Sequence, residues 1–142
     1  MNPKVRLAPG LRRSHCAVAN TLDIVGDKWS LLIVRDLLRG KQTYGELANS
    51  TERIPTNILA DRLKRLEATG VITSTMYQEH PPRYAYALTE KGADLREVLH
   101  AIVGWGKKHI PGTRTLKEST ANGPPATGVR RGTRTRSNSS RS

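Results

Sequence analysis

Between Ile54 and Leu88 the chain gathers the side-chain amide of Asn57, the cations Arg62, Lys64, Arg65 and Arg83, and the carboxylate of Asp61 on a frame of regularly spaced leucines. Lysine and arginine in such a setting neutralise phosphates, and an asparagine amide presents a donor beside an acceptor, the pattern that pairs bidentately with adenine. That is the chemistry of recognition rather than of bond breaking. Upstream, Cys16 lies next to His15 and close to Arg12 and Arg13. A helix start and nearby positive charge both favour thiolate over thiol, so the position suits reaction with oxidants or electrophiles. With no second cysteine in the chain, the products open to it are a sulfenic acid, a mixed disulfide, an alkyl adduct or a disulfide between subunits. The other reading of Cys16 is a small apolar side chain packing the first helix against an interface. His15, His80, His100 and His109 are scattered without metal-ligand spacing, and neither a phosphate-binding glycine loop nor a nucleophile elbow is present. No enzyme, cofactor or metal site is expected.

The elements that must position these groups follow from periodicity. From Ile54 to Gly70, Leu59, Leu63 and Leu66 recur at helical spacing with Ile58 widening the stripe, while Asn57, Asp61, Arg62, Lys64 and Arg65 take the other face. Pro55 and Thr56 supply start chemistry, Thr56 as an acceptor for an orphan amide, and Gly70 supplies the stop. Val71–Tyr77 and Arg83–Leu88 are β-prone, and the Glu79–Pro82 segment between them is expected to interrupt the ladder, so a two-stranded hairpin is predicted. A basic helix face alone is more often merely solvated. Here Thr43-Tyr-Gly-Glu46 has capping-box spacing and opens a short helix to about Ser50, followed by a linker from Thr51 to Pro55. Two short helices, a tight connection and a hairpin form a compact device for holding a helix end in a DNA groove.

Two further helices precede this unit, separated by Gly26-Asp27. The first carries Val18, Leu22 and Val25; the second, Lys28 to Leu38, is apolar around most of its circumference and belongs at the centre, with Asp27 as cap, Gly40 as terminator and Trp29 as a core or interface anchor. After the hairpin, Thr89-Glu-Lys-Gly begins a long helix with Leu95, Val98, Leu99, Ile102 and Trp105 on one stripe. Its apolar surface exceeds what a small wing covers, and pairing with the N-terminal helix of a second subunit in a two-fold homodimer is the expected use. Burial within one subunit is the other.

The net charge of +12 sits mainly at the ends. Residues 1–15 contribute Lys4, Arg6, Arg12 and Arg13 with no acid, and residues 111–142 hold seven basic residues against Glu118, which leaves only +2 for the middle. The reading is therefore a basic flexible arm over 1–15, a DNA-binding and dimerisation domain over 16–110, and a disordered basic tail over 111–142 that attracts phosphates without reading sequence. No apolar run approaches a bilayer span and the N-terminus lacks a signal-peptide core, so a cytoplasmic protein without membrane partners is expected. A single cysteine fits that reducing compartment.

With these residues in place, the chain resembles the HxlR-type transcriptional regulators, winged-helix proteins of the MarR-like group. The resemblance rests on Cys16, the Leu22 to Leu38 block, Tyr44-Gly-Glu-Leu47, Ile58-Leu59 with Asp61-Arg-Leu-Lys-Arg-Leu66, Pro81-Pro-Arg83 with Tyr86, and Leu88-Thr-Glu-Lys-Gly92, in unbroken order over roughly residues 16 to 109. It implies a mainly α fold with a small β-wing (α+β), a winged helix-turn-helix that dimerises through its N- and C-terminal helices and binds double-stranded DNA. The fourth helix would then enter the major groove. On this chain Thr56, Asn57, Ala60, Asp61 and Lys64 would face base edges, Arg62 and Arg65 would hold phosphates, and Arg83 would reach the backbone or minor groove. Arg62 has a second reading as a salt-bridge partner of a nearby acid, and Asp61 as an acceptor from cytosine or an orienter of a neighbouring arginine. Several relatives of this kind use a cysteine at the place of Cys16 to sense quinones, aldehydes or oxidants; Ala17 stands where they commonly have proline. The function expected is a sequence-specific regulator, by default a repressor, binding an inverted repeat as a homodimer. The alternative is nonspecific nucleic-acid binding driven by the basic tails.

Overall fold

Leu59, Leu63 and Leu66, the stripe read from the sequence, are buried to within a few per cent of full enclosure, and the core is built around them. The computed structural model describes residues 12–115; most of the arm and tail readings concern residues outside that range. The described chain forms α1 (Ala17–Val25), α2 (Ser30–Leu38), α3 (Tyr44–Ala48), α4 (Thr56–Ala68), β1 (Ile72–Glu79), β2 (Pro82–Leu88), α5 (Glu90–Ala93) and α6 (Leu95–His109). It divides into two compact units, 12–97 and 98–115.

In the first unit α2 is central, as its apolar circumference demands. Ile33, Val34 and Leu37 are buried, as are Leu47 of α3, Leu59, Leu63 and Leu66 of α4, and Val71 and Ile72 at the entry to the hairpin; α2 packs against α3 and β2. The Asp27 carboxylate accepts from the amides of Trp29 and Ser30 at 3.0 and 3.1 Å, as a cap would, while the helix itself starts at Ser30 rather than Lys28, with Trp29 rather than Asp27 at its N-cap position. Trp29 is half-buried, with the Lys28 ammonium 5.1 Å from its ring centre. The capping box of α3 is complete: Thr43 Oγ1 accepts from the Glu46 amide at 3.1 Å and the Glu46 carboxylate accepts from the Thr43 amide at 3.1 Å. The helix ends at Ala48, two residues short of the expected Ser50.

Three further boundaries differ from expectation. Pro55, not Thr56, holds the N-cap of α4, and no side chain caps it, because proline has no side-chain acceptor to offer the orphan amides; Thr56 is the first helical residue. The wing ladder continues to a Glu79–Pro82 pair, leaving a two-residue tip, because a proline at the first position of a strand has no ladder bond to donate there. The helix after the wing is interrupted at Asp94 to give α5 and α6. α5 is locked to the foot of the hairpin: Thr89 Oγ1 donates to the Gly70 carbonyl at 2.5 Å and accepts from the Gly92 amide at 3.0 Å, and Lys91 Nζ reaches the Thr69 carbonyl at 2.6 Å. Gly70, at φ +81°, stops α4 as read.

In the second unit, residues 98–115, α6 runs on with none of its side chains buried; the Trp105 and His109 rings lie 4.9 Å apart, tilted by 42°, and Thr113 Oγ1 closes the helix by donating to the Ile110 carbonyl at 2.8 Å.

Electrostatic ties join the helices of the first unit. Arg35 on α2 forks onto both carboxylate oxygens of Glu52 in the α3–α4 turn, at 2.8 and 3.0 Å, and also pairs with the buried Asp36 at 2.8 Å. That fork holds the Glu52 carboxyl below its ordinary value of 4.5. A carboxylate with a depressed folded pKa stabilises fully above its unfolded value and loses that contribution as pH falls through the folded one. Resistance to unfolding in urea should therefore be little changed from pH 7 to 5 and should fall below about pH 4.5, the ordinary Glu value; in Arg35→Met the Glu52 part of that acid sensitivity should disappear.

Candidate nucleic-acid interface

α4 offers to solvent what its buried leucines leave over. Thr56, Asn57, Ala60, Asp61, Lys64 and Arg65 are all exposed, so the residues read as facing base edges do share the outward side of one helix. The start of that helix is held from α3: Tyr44 Oη donates to the Thr56 carbonyl at 2.7 Å, fixing the first turn, which carries Asn57. Nothing in the spacing of Tyr44 announced this contact. The turn between the two helices passes through Arg53 in the left-handed conformation, φ +57°.

The cations of α4 divide. Lys64 is exposed and Arg65 lies 3.7 Å from Asp61 across one turn of helix, with 55% of its side chain exposed. Arg62 instead turns inward: its Nε donates to the Asp27 carboxylate at 2.8 Å, its Nη1 pairs with the neighbouring Asp61, and only 18% of its side chain is exposed. Partial burial pushes the Asp27 carboxyl up, but hydrogen bonds from Ser30, Arg62 and the Trp29 amide outweigh it and hold the group below its ordinary value. The same Asp27 thus caps α2 and anchors α4. Of the two readings of Arg62, the structure displays the ion pair, with Asp27 lying 35 residues away in sequence rather than one helical turn.

The wing projects beyond α4. β1 and β2 pair antiparallel from Ile72–Leu88 to Glu79–Pro82, with a bulge between Met76 and Gln78, and β2 is joined on its other edge by Gln42-Thr43, whose Gln42 carbonyl accepts from the Tyr86 amide at 2.7 Å. Arg83 is exposed beside the tip. This seam ties the wing to α3, and Tyr44 ties α3 to α4, while Ser74 Oγ of β1 donates to the Glu67 carboxylate of α4 at 2.9 Å, so α4 and the wing are held both directly and through α3.

Cys16 occupies the N-cap of α1 with an extended backbone, and its residue is exposed. The amides of Ala19 and Val18, aided by the charge of Arg13, lower its thiol from the ordinary value against a small opposing effect of burial. Arg13 is itself pinned to Asp23 at 2.8 Å, and Ser14 Oγ accepts from the Cys16 amide at 3.1 Å. The Cys16 residue is therefore not packed within the described chain. α1 buries only Val25 and leaves Val18 and Leu22 exposed at 65% and 53%.

Comparison with known proteins agrees with this arrangement. The family model described as HxlR-like helix-turn-helix matches residues 24–114. The HTH-type transcriptional regulator YtcD of Bacillus subtilis (strain 168) is 34% identical over 99 residues, which span 70% of this chain and 79% of that protein. Among solved structures, the redox regulator HypR in its reduced form superposes with a TM-score of 0.62 at 29% identity, over 73% of this chain and 99% of the other. The reduced form of the transcriptional regulator YodB from B. subtilis gives a TM-score of 0.58 at 27% identity, over 70% and 99%.

Proposed function

The chain belongs to the HxlR-like helix-turn-helix family of transcriptional regulators, and on that premise we propose that it binds an inverted repeat in double-stranded DNA as a homodimer and represses transcription from promoters it covers. The observation that carries this reading is the outward face of α4: Thr56, Asn57, Ala60, Asp61 and Lys64 are exposed together on a helix whose opposite face is locked into the core. In this scheme that face enters the major groove, Arg65 and the wing's Arg83 hold phosphates, and Arg62 serves mainly to keep α4 seated through Asp27. Dimerisation would draw on Val18 and Leu22 of α1 and on Ile102 and Trp105 of α6, which are 48–65% exposed and large enough to build a hydrophobic interface. A two-fold dimer reads a two-fold site, with half-sites about 34 Å apart per turn of DNA. Among the described residues no helix is long and apolar enough to cross a membrane, and a cytoplasmic location suits a protein that must meet DNA.

The test is selection from random duplex DNA by the full-length reduced protein at near-physiological salt. Enrichment of an inverted repeat is expected. Equal binding of all sequences, collapsing steeply with ionic strength, would instead assign binding to the basic ends.

A sensing role for Cys16 is favoured by its exposure and by the amides and Arg13 charge that lower its pKa. The relative HypR is described as a redox regulator. With hydrogen peroxide, the thiolate sulfur would attack one oxygen, the O–O bond would break, the sulfur would be oxidised by two electrons to a sulfenic acid, and the other oxygen would leave as hydroxide, which takes a proton from solvent to become water. A change at this helix cap would alter how α1 meets the second subunit, and so the separation of the two recognition helices. Cys16→Ser should bind the selected repeat as tightly as the reduced wild type and keep that affinity when peroxide is added, read by fluorescence anisotropy. An equal loss of affinity in both proteins would remove Cys16 from the response.

A further inference from the structure

All four tyrosines of the chain converge on one trough, between the start of α3 and the wing. Tyr44, Tyr77, Tyr84 and Tyr86 line it with Pro82 and Arg83, around a volume of about 490 Å³ and without a carboxylate among its lining residues. Tyr84 and Tyr86 alternate along β2 and so share a face of the hairpin. Tyr77 would fall on the opposite face of β1 by simple alternation, but it sits in the bulge between Met76 and Gln78, and a bulge re-aims the side chain it carries. The hairpin thus departs from regular geometry at the position that adds a third ring to the trough.

The hydrogen-bonding state of these groups indicates what the trough would accept. Tyr44 spends its hydroxyl on the Thr56 carbonyl. Tyr77 and Tyr84, exposed at 53% and 39%, have no hydrogen-bond partner among the described residues, nor does the Arg83 guanidinium. Tyr86 is half-buried, and burial together with the charge of Glu67 keeps its phenol protonated. A site with unengaged O–H and N–H donors calls for an acceptor-rich, anionic occupant, and the exposed ring faces call for one with apolar edges. Small-molecule sites generally enclose most of their ligand, which rings this exposed do not. A sugar-phosphate backbone meets both demands and needs no enclosure. Position agrees as well: Tyr44 links the trough to the first residue of α4 and Arg83 links it to the wing tip.

We propose that this trough seats the DNA sugar-phosphate backbone where the strand passes from the recognition helix to the wing, with deoxyribose against Tyr77 and Tyr84 and phosphate oxygens accepting from their hydroxyls and from Arg83. The inference rests on the DNA-binding reading above and adds contacts that carry register rather than sequence. The experiment is the double variant Tyr77→Phe/Tyr84→Phe in the full-length protein, which keeps both rings and removes only the hydroxyls, with a thermal melt to show that the fold is retained. Affinity is measured for the selected repeat and for a random duplex of equal length across a salt series. The expected result is a loss of about tenfold on both duplexes with an unchanged salt slope, because neutral donors release no counterions. Arg83→Gln should lower affinity on both and reduce the slope by about 1. Wild-type affinity of the double variant on both duplexes would overturn the proposal, and so would a loss confined to the selected repeat, which would make the tyrosines base readers. Salicylate, as a probe aromatic acid, quenching the wild-type tyrosines at micromolar concentration while the double variant still bound DNA normally would mark the trough as a small-molecule site instead. Failure of the regulator reading shows separately, as wild-type protein that does not distinguish the two duplexes.

Discussion

Asn57→Ala should lower affinity for the selected repeat by about 10- to 100-fold per half-site while leaving affinity for random duplex nearly unchanged. The magnitude follows from the value of one bidentate amide–adenine pair, about 1–3 kcal/mol of discrimination. The selectivity follows from position. Asn57 is the second residue of α4, exposed, and has no structural task in the described chain beyond its place in the helix, so its removal leaves the leucine face and the Tyr44–Thr56 bond intact. Anisotropy titrations of both duplexes at two salt concentrations read the two effects separately. Equal losses on both duplexes would turn Asn57 into a phosphate contact, and no loss on either would place base reading elsewhere on the face, at Ala60, Asp61 or Lys64. The salt slope should not move in any of these cases, because a neutral amide displaces no counterion.

Gly92→Ala is expected to give the largest loss of stability among single methyl additions in the described chain, about 3 kcal/mol, at the upper end of what overpacking costs. An added Cβ would lie 2.1 Å from the Val71 carbonyl oxygen and 3.0 Å from Leu88 Cδ2. The first neighbour is backbone and cannot swing aside as a flexible side-chain end does. Relief requires α5 to move away from the start of β1, and that movement breaks the Thr89 bonds to Gly70 and Val71 that close the foot of the wing. Val71 and Ile72, each 1% exposed, would lose their packing as the foot opens. Chemical denaturation of the variant checks the figure, with Gly45→Ala as the control. Gly45 has open space around its Cβ position, and alanine favours a helix over glycine by about 1 kcal/mol, so that change should be neutral or stabilising. A Gly92→Ala protein as stable as the wild type would mean that the hairpin foot is far more pliant than this close approach implies.

These two residues differ in how legible they were. Asn57 could be singled out from its place on a helix face because helical periodicity is a local property, and the leucine stripe that defines the face lies within one segment. The capping box at Thr43, the stops at Gly40 and Gly70 and the cap at Asp27 were legible for the same reason: each depends on residues within four positions of one another. Gly92 was visible only as part of a motif, Leu88-Thr-Glu-Lys-Gly92. Its physical purpose, an approach to Val71 too close for any side chain, exists only once hairpin and α5 are folded together.

The amino-acid sequence by itself determined the order of elements, the buried face of each helix in the DNA-reading half, the exposed set on α4 and the family, because all of these follow from spacing and local chemistry along one strand of chain. Tertiary structure alone decided how the cations are divided. Arg62 and Lys64 are both basic residues of one helix, yet the first is held by Asp27, 35 residues earlier, and the second stays exposed. It also decided that the post-wing helix breaks at Asp94, that Arg35 crosses to Glu52, and that four tyrosines spread over 43 positions meet in one trough. The physical reason is common to these cases. An ion pair, a close backbone approach or a shared cleft depends on distance in space, and hydrophobic periodicity, which fixes which face of an element turns inward, carries no information about which charged or aromatic groups the closing of the core will bring together.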